Sequence, residues 1–235
     1  MLQTTTLAAP LWLNEPLDEE LQVTYQIALV GSDGVLLGSD RRMFNRGPST
    51  DPASLYVQYD AQSKFIDNDH VVCACSGDQR SARIAREIVA ECDPLLSDNA
   101  WQSALDKKAE MPELRGHAEL LIVRKHRADH AVWMVAGPNG YTARIGEKKC
   151  IGANSSAYFL IQKFYKKSPI RLLRNVALLA LEYAHLEFST SVGDGYELRY
   201  IFNDQIVKEE YANEDQRVIS LRSKFENSIN ALLEN

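Results

Sequence analysis

The order of apolar runs and chain breakers predicts an α/β sandwich, two stacked sheets flanked by helix layers. Three observations carry this. Strand-like runs come as hairpin pairs. Helix-like stretches also come in pairs. Apart from a closing strand and helix, the chain does not alternate single strands with single helices, as a doubly wound fold would.

The first pair is Thr24 to Val30 and Val35 to Leu37, both almost wholly apolar, with Gly31-Ser32-Asp33-Gly34 as the turn between them. Strands without polar alternation are covered on both faces. Residues 44–60 hold Gly47, Pro48, Pro52 and many polar residues, and read as a long loop. Lys64 to Ile66 and His70 to Cys75 form a second hairpin, turning at Asp67-Asn68-Asp69. Ser76-Gly77-Asp78 then opens a helix over 80–91, whose stripe is Ile84, Ile88 and Val89. A second helix spans 98–109, with Asp98 as its N-cap.

Strands follow at 117–123 and 130–136, a tight turn at 137–140, and short strands at 141–145 and 149–151. Helices are predicted at 155–165 and 169–188, with Pro169 suited to a first turn. The second is apolar on most sides through Leu172, Leu173, Val176, Leu179, Leu181 and Leu186, which predicts burial between layers or against a partner subunit. A strand at 196–202 and a helix from 214 complete the chain. The last helix carries Val218, Leu221, Phe225, Ile229 and Leu232 on one stripe.

Composition narrows the class of function. Hydrophobic residues at 45% and charged residues at 25% are ordinary globular usage and exclude disorder. A net charge of −6 gives no general pull toward nucleic acid or an anionic membrane. No apolar run approaches the ~20 residues of a membrane span. Residues 1–23 lack Lys and Arg and contain Glu15, Asp18, Glu19 and Glu20, so they are not a secretory signal. They read as a peripheral extension before a domain at 24–235, with one helical turn at 17–22. Cys73, Cys75, Cys92 and Cys150 form no C-x-x-C pair and suit a reduced cytoplasm, with Cys73 and Cys75 on one strand face. The five histidines show no metal spacing, and no phosphate or dinucleotide fingerprint occurs, so neither metal nor cofactor is expected.

The stretch Thr24-Tyr-Gln-Ile-Ala-Leu-Val-Gly-Ser-Asp33-Gly34-Val-Leu-Leu-Gly-Ser-Asp40-Arg-Arg42 resembles the opening of proteasome β-type subunits, N-terminal-nucleophile hydrolases. Ser63-Lys64-Phe65-Ile66 is similar to the family's lysine-bearing strand, and Ala74-Cys75-Ser76-Gly77 to the strand that ends in glycine before the first helix. Ile151-Gly152-Ala153-Asn154-Ser155 resembles the Gly-rich approach to the third helix, and Gly193-Asp194-Gly195 the glycine turn before the last core strand. The resemblance covers residues 24 to about 203. It implies a four-layer α-β-β-α sandwich, a threonine-type amide hydrolase acting on peptides, and self-association into a ring or other homo-oligomer. Alternatives within the same fold are a non-catalytic scaffold subunit and an amidase for small amides. No unfoldase partner can be named.

The residue roles also follow from the resemblance. Thr24 is the nucleophile, Lys64 supplies positive charge, Asp40 holds Lys64, and the Gly77 N–H stabilises the oxyanion. Arg42 orders the Asp40 loop. Ala153 stands where the family usually has serine, with Ser155 and Ser156 close by. The acidic residue of the family has no clear counterpart in Glu187 to Val192, where Ser191 is the candidate for the serine role.

The mechanism requires Thr24 to carry a free α-amine, because an amide nitrogen is no base. Val23 is β-branched and stiff, which disfavours self-cleavage at a turn where the family has glycine. A bacterial valine codon can act as a start. Translation from Val23 would give Met-Thr-Tyr and, after Met removal, a chain that begins at Thr24.

Overall fold

The computed structural model describes residues 24–45, 57–59, 63–77, 79–114, 118–125, 131–136, 140–152, 155–189, 192–212 and 214–233. The helical turn expected at 17–22 and most of the turn at 137–140 lie outside these residues. The described strands form two five-stranded antiparallel sheets and a two-stranded ribbon, accompanied by five α-helices.

The first sheet is built on β1 (Tyr25–Val30) and β2 (Gly34–Asp40), paired antiparallel around the expected turn, where Gly31 N donates to Gly34 O at 2.7 Å. β10 (Lys148–Gly152) adds on the β1 side; β11 (Tyr196–Phe202) and β12 (Gln205–Tyr211) add on the β2 side. The second sheet runs in chain order through β5 (Phe65–Asp67), β6 (Val71–Ser76), β7 (Glu119–Arg124), β8 (Val132–Ala136) and β9 (Tyr141–Ile145). β9 and β10 are adjacent in sequence but belong to different sheets, so the chain changes sheet at Gly146-Glu147.

The apolar character of β1 has a direct cause. Ala28 and Val30 pack in a cluster with Val72, Ala74, Leu121 and Val123 of the second sheet. Tyr25, Ile27 and Leu29 point the other way, into a core shared with α3 (Ala157–Phe164), α4 (Ile170–Glu187) and α5 (Gln216–Leu233). The far face of the second sheet packs Cys73, Leu120 and Ile122 against α1 (Gln79–Ala90) and α2 (Asp98–Ala109). Each fully buried Leu or Ile in these clusters contributes about 1.5–3 kcal/mol of transfer free energy.

Three expectations need correction. The loop foreseen at 44–60 contains a ribbon, β3 (Met43–Asn45) paired with β4 (Val57–Tyr59). β12 was not foreseen, because an edge strand with Lys208, Glu209 and Glu210 has no continuous apolar signal; Asn203 and Asp204, both at positive φ, make its hairpin turn. The α2 N-cap is Ser97, not Asp98: Ser97 has extended backbone and accepts from Ala100 N at 3.3 Å, while Asp98 lies in the first turn and pairs with Arg124 at 2.6 Å. Within the single chain, α4 is buried along one stripe. Its buried stripe includes Leu173, Ala177, Leu178, Leu181 and Ala184, whereas Leu172 and Leu186 are 51% and 50% exposed. Pro169 precedes this helix as its capping residue.

Candidate active site

Thr24 sits at the start of β1, and β2 returns antiparallel beside it to end at Asp40. Lys64 directly precedes β5 in the second sheet. The site thus lies where the ends of two sheets meet. Thr24, Asp40 and Lys64 are all buried, Asp40 completely.

Lys64 Nζ lies 3.1 Å from Thr24 Oγ1 and 3.0 and 2.9 Å from the two Asp40 carboxylate oxygens. Asp40 accepts further from three backbone N–H groups: Tyr25 at 3.0 Å, Arg42 at 3.2 Å and Gly193 at 3.4 Å. A buried carboxylate with this many donors is fully compensated. Burial holds the Lys64 pKa below the ordinary lysine value, and the attraction of Asp40 offsets part of that.

Arg42 ties down the loop behind Asp40. Its guanidinium takes both Asp194 oxygens, at 3.2 and 3.0 Å, and also reaches Ser189 O. Arg41 N donates to Gly193 O and Gly195 O. The glycine turn at 193–195 is therefore bound to the end of β2 through both side chain and backbone.

Gly77 follows β6 with φ +140, a conformation that L side chains rarely adopt, and an added Cβ would collide with the Ser81 side chain. Gly152, at φ +88, brings its backbone so close that a Cβ there would collide with Thr24 O. Tyr25 and Gly152 are register partners, so the start of β1 is held against the end of β10.

Ala153, Asn154, Thr190 and Ser191 lie outside the described residues. Near them in sequence is a network that sequence reasoning left without an acid. Glu187, at the end of α4, accepts from Ser155 Oγ at 2.9 Å and from Ser156 Oγ and N, both at 2.8 Å. What burial it has works against its charge, but the bonds from Ser156 and Ser155 hold its pKa below the ordinary carboxylate range. The carboxylate faces the start of α3, where a helix favours negative charge.

Two polar residues of the sheets were also missed. Gln26 is fully buried and its Nε2 donates to Ser39 Oγ at 3.3 Å and to Cys75 O at 3.0 Å. Glu119 accepts from Gly152 N at 3.2 Å. The available signal for Gln26 was its place as the one amide within an apolar strand. Glu119 carried none, because a glutamate at a strand end is ordinary.

Solved structures with this architecture include Anbu proteins. Anbu from Yersinia bercovieri, described as an ancestral β-subunit, superimposes with a TM-score of 0.69 at 15% identity, covering 90% of this chain and 97% of that one. The fold is theirs. A mutant Anbu from Hyphomicrobium sp. strain MC1 gives 0.69 at 12% identity, again over 90% and 97%. The helical assembly of the Anbu complex from Pseudomonas aeruginosa gives 0.67 at 16%, over 89% of this chain and 95% of that chain. Identities this low speak to fold alone, and these neighbours fit a proteasome-like fold. No protein-family model and no curated protein matches the sequence. Among the described residues no helix is long and apolar enough to cross a membrane, and no group of three His, Cys, Asp or Glu could hold a metal ion.

Proposed function

We propose that this protein is a threonine-type amide hydrolase acting on peptides, with Thr24 as first residue of the working chain and a four-layer α-β-β-α arrangement of the N-terminal-nucleophile type. One observation carries the reading: a buried Lys64 ammonium donates to Thr24 Oγ1 while held by a buried Asp40. A scaffold has no need to bury a charge beside a hydroxyl.

The chemistry runs as follows. Thr24 Oγ1 attacks the carbonyl carbon of the scissile amide, and its proton passes to the Thr24 α-amine. The oxyanion is stabilised by the Gly77 N–H. Collapse breaks the C–N bond, and the leaving amine takes the proton. Water then hydrolyses the ester, again with the α-amine as base. Lys64 stays charged; its field lowers the pKa of both the hydroxyl and the neighbouring amine. Asp40 is a positioning residue, and Arg42 with Asp194 fixes the loop that presents it.

This assignment predicts a bell-shaped pH dependence of kcat/KM on a fluorogenic peptide. The rate rises as the α-amine loses its proton, with a midpoint below the ordinary value of about 7.7–8.0 because Lys64 disfavours the protonated amine. It falls again as Lys64 becomes neutral, at a pH below the ordinary lysine value of 10.5 because burial lowers that pKa. A profile flat between pH 6 and 10 would remove both groups from the mechanism.

Self-association belongs to the same proposal. Leu172, Leu179 and Leu186 recur every seven residues along α4, and the first and last are half exposed. Phe159 and Phe164 of α3 are 65% and 47% exposed. A helix layer with such a leucine row is suited to packing against a second copy. Anbu from Pseudomonas aeruginosa forms a helical assembly. Light scattering at micromolar concentration is expected to show species well above the 26.5 kDa chain; a pure 26.5 kDa species would contradict it.

A further inference from the structure

The nucleophile and the oxyanion donor stand on different sheets. Thr24 leads into β1, whereas Gly77 follows β6. Between the sheets lies an apolar cluster of Ala28, Val30, Leu37, Val72, Ala74 and Leu121. Apolar contact is non-directional and holds sheets together without fixing how far one slides along the other. A hydrogen bond, with its narrow range of distance and angle, does fix it.

Besides the Lys64 bonds to Thr24 Oγ1 and Asp40 already described, two bonds cross the gap at the site end. Gln26, two residues after Thr24, donates Nε2 to Cys75 O, two residues before Gly77, at 3.0 Å. Gly152 N, opposite Tyr25, donates to Glu119 Oε2 at 3.2 Å, and Glu119 is the register partner of Ser76. In the first tie the Gln26 side chain is completely buried. Its cost is visible, because Gln26 Oε1 is buried with no hydrogen-bond partner among the described residues. An apolar side chain of similar length would fill the same space with no unpaired acceptor. The amide is thus a poor choice for stability alone.

We propose that Gln26 and Glu119 are positioning residues that lock the sliding register of the two sheets, and so set the distance between the Thr24 hydroxyl and the Gly77 N–H. The inference rests on the Thr24–Gly77 reading above. Neither residue touches the reacting atoms. Their effect is on the alignment of nucleophile and oxyanion donor, which matters in the transition state more than in substrate binding.

The test uses the form whose chain begins at Thr24, with steady-state kinetics on one fluorogenic peptide and thermal melting of each variant. Gln26→Met keeps the length and removes the donor. Its kcat is expected to fall about ten- to a hundredfold, the scale of sub-ångström to ångström misplacement, with KM within about twofold and Tm equal to the parent's or higher. Glu119→Leu should lower kcat in the same way, and Glu119→Gln, which keeps an acceptor for Gly152 N, should recover most of the loss. The Glu119 pair carries the test if Gln26→Met does not fold. Parental kcat in Gln26→Met or Glu119→Leu, or a fall in kcat matched by a fall in Tm, overturns the register lock. An inactive parent overturns the hydrolase reading and the lock with it, and is told apart by the parent alone.

Discussion

Lys64→Ala is expected to abolish peptide turnover and to destabilise the fold by about 3–5 kcal/mol, the usual range for stranding one partner of a buried ion pair. Asp40 is the reason. It is completely buried, and the substitution leaves its charge without the ammonium that now sits 2.9 Å away. The loss should fall toward the lower end, because the backbone N–H groups of Tyr25, Arg42 and Gly193 still donate to the carboxylate. Pairing the change with Asp40→Asn separates stability from chemistry. The double variant no longer buries a net charge and should regain much of the lost stability in chemical denaturation. It should regain no turnover, since nothing then supplies positive charge beside Thr24. A double variant as active as the parent would show that Lys64 serves only to neutralise Asp40.

The fold was legible wherever local chemistry and global packing agree. The β1–β2 hairpin shows itself through apolar runs on both sides of a Gly-Ser-Asp-Gly turn, and its strands are apolar because one face meets the second sheet and the other meets helices. β12 was illegible from its own residues. Among the described strands it pairs only with β11, so Lys208, Glu209 and Glu210 satisfy an edge strand without the pattern that announces one. The helix α4 shows the opposite difficulty. Counting leucines predicts burial between layers or against a partner but does not say which leucines face which; within the chain the close-packed stripe rests partly on Ala177, Ala180 and Ala184, leaving Leu172 and Leu186 outward.

The candidate site was legible in part for a similar reason. Thr24 and Asp40 are two ends of one hairpin, so their proximity is dictated by turn geometry once the hairpin is seen. Lys64 comes from the second sheet, and only the family resemblance placed it near Thr24. The Glu187–Ser155–Ser156 network joins residues more than thirty positions apart across two helix ends, which no spacing rule reveals. Gln26 and Glu119 act across the gap between sheets, and their partners are backbone atoms, which have no sequence signature.

Thr24 carries the largest expected effect of all. Thr24→Ala removes the hydroxyl and should abolish turnover while leaving fold and assembly intact. The position needs no hydroxyl for packing, and the Lys64–Asp40 pair survives the change. Thr24→Ser keeps the hydroxyl and should retain a measurable fraction of the rate, reduced because a serine side chain lacks the methyl that restricts its rotamer. Turnover in Thr24→Ala equal to the parent's would move the nucleophile elsewhere.

The central claim is that the Thr24 α-amine and hydroxyl work as one unit, and the free amine tests it most directly. Two forms of the protein are compared on the same peptide, one beginning at Thr24 after removal of Met and one retaining residues 1–23, with intact-mass measurement of each before and after the assay. The account predicts turnover by the first form and none by the second. Equal turnover by both, with the mass showing residues 1–23 still attached, would contradict it, because an acylated nitrogen cannot accept the hydroxyl proton.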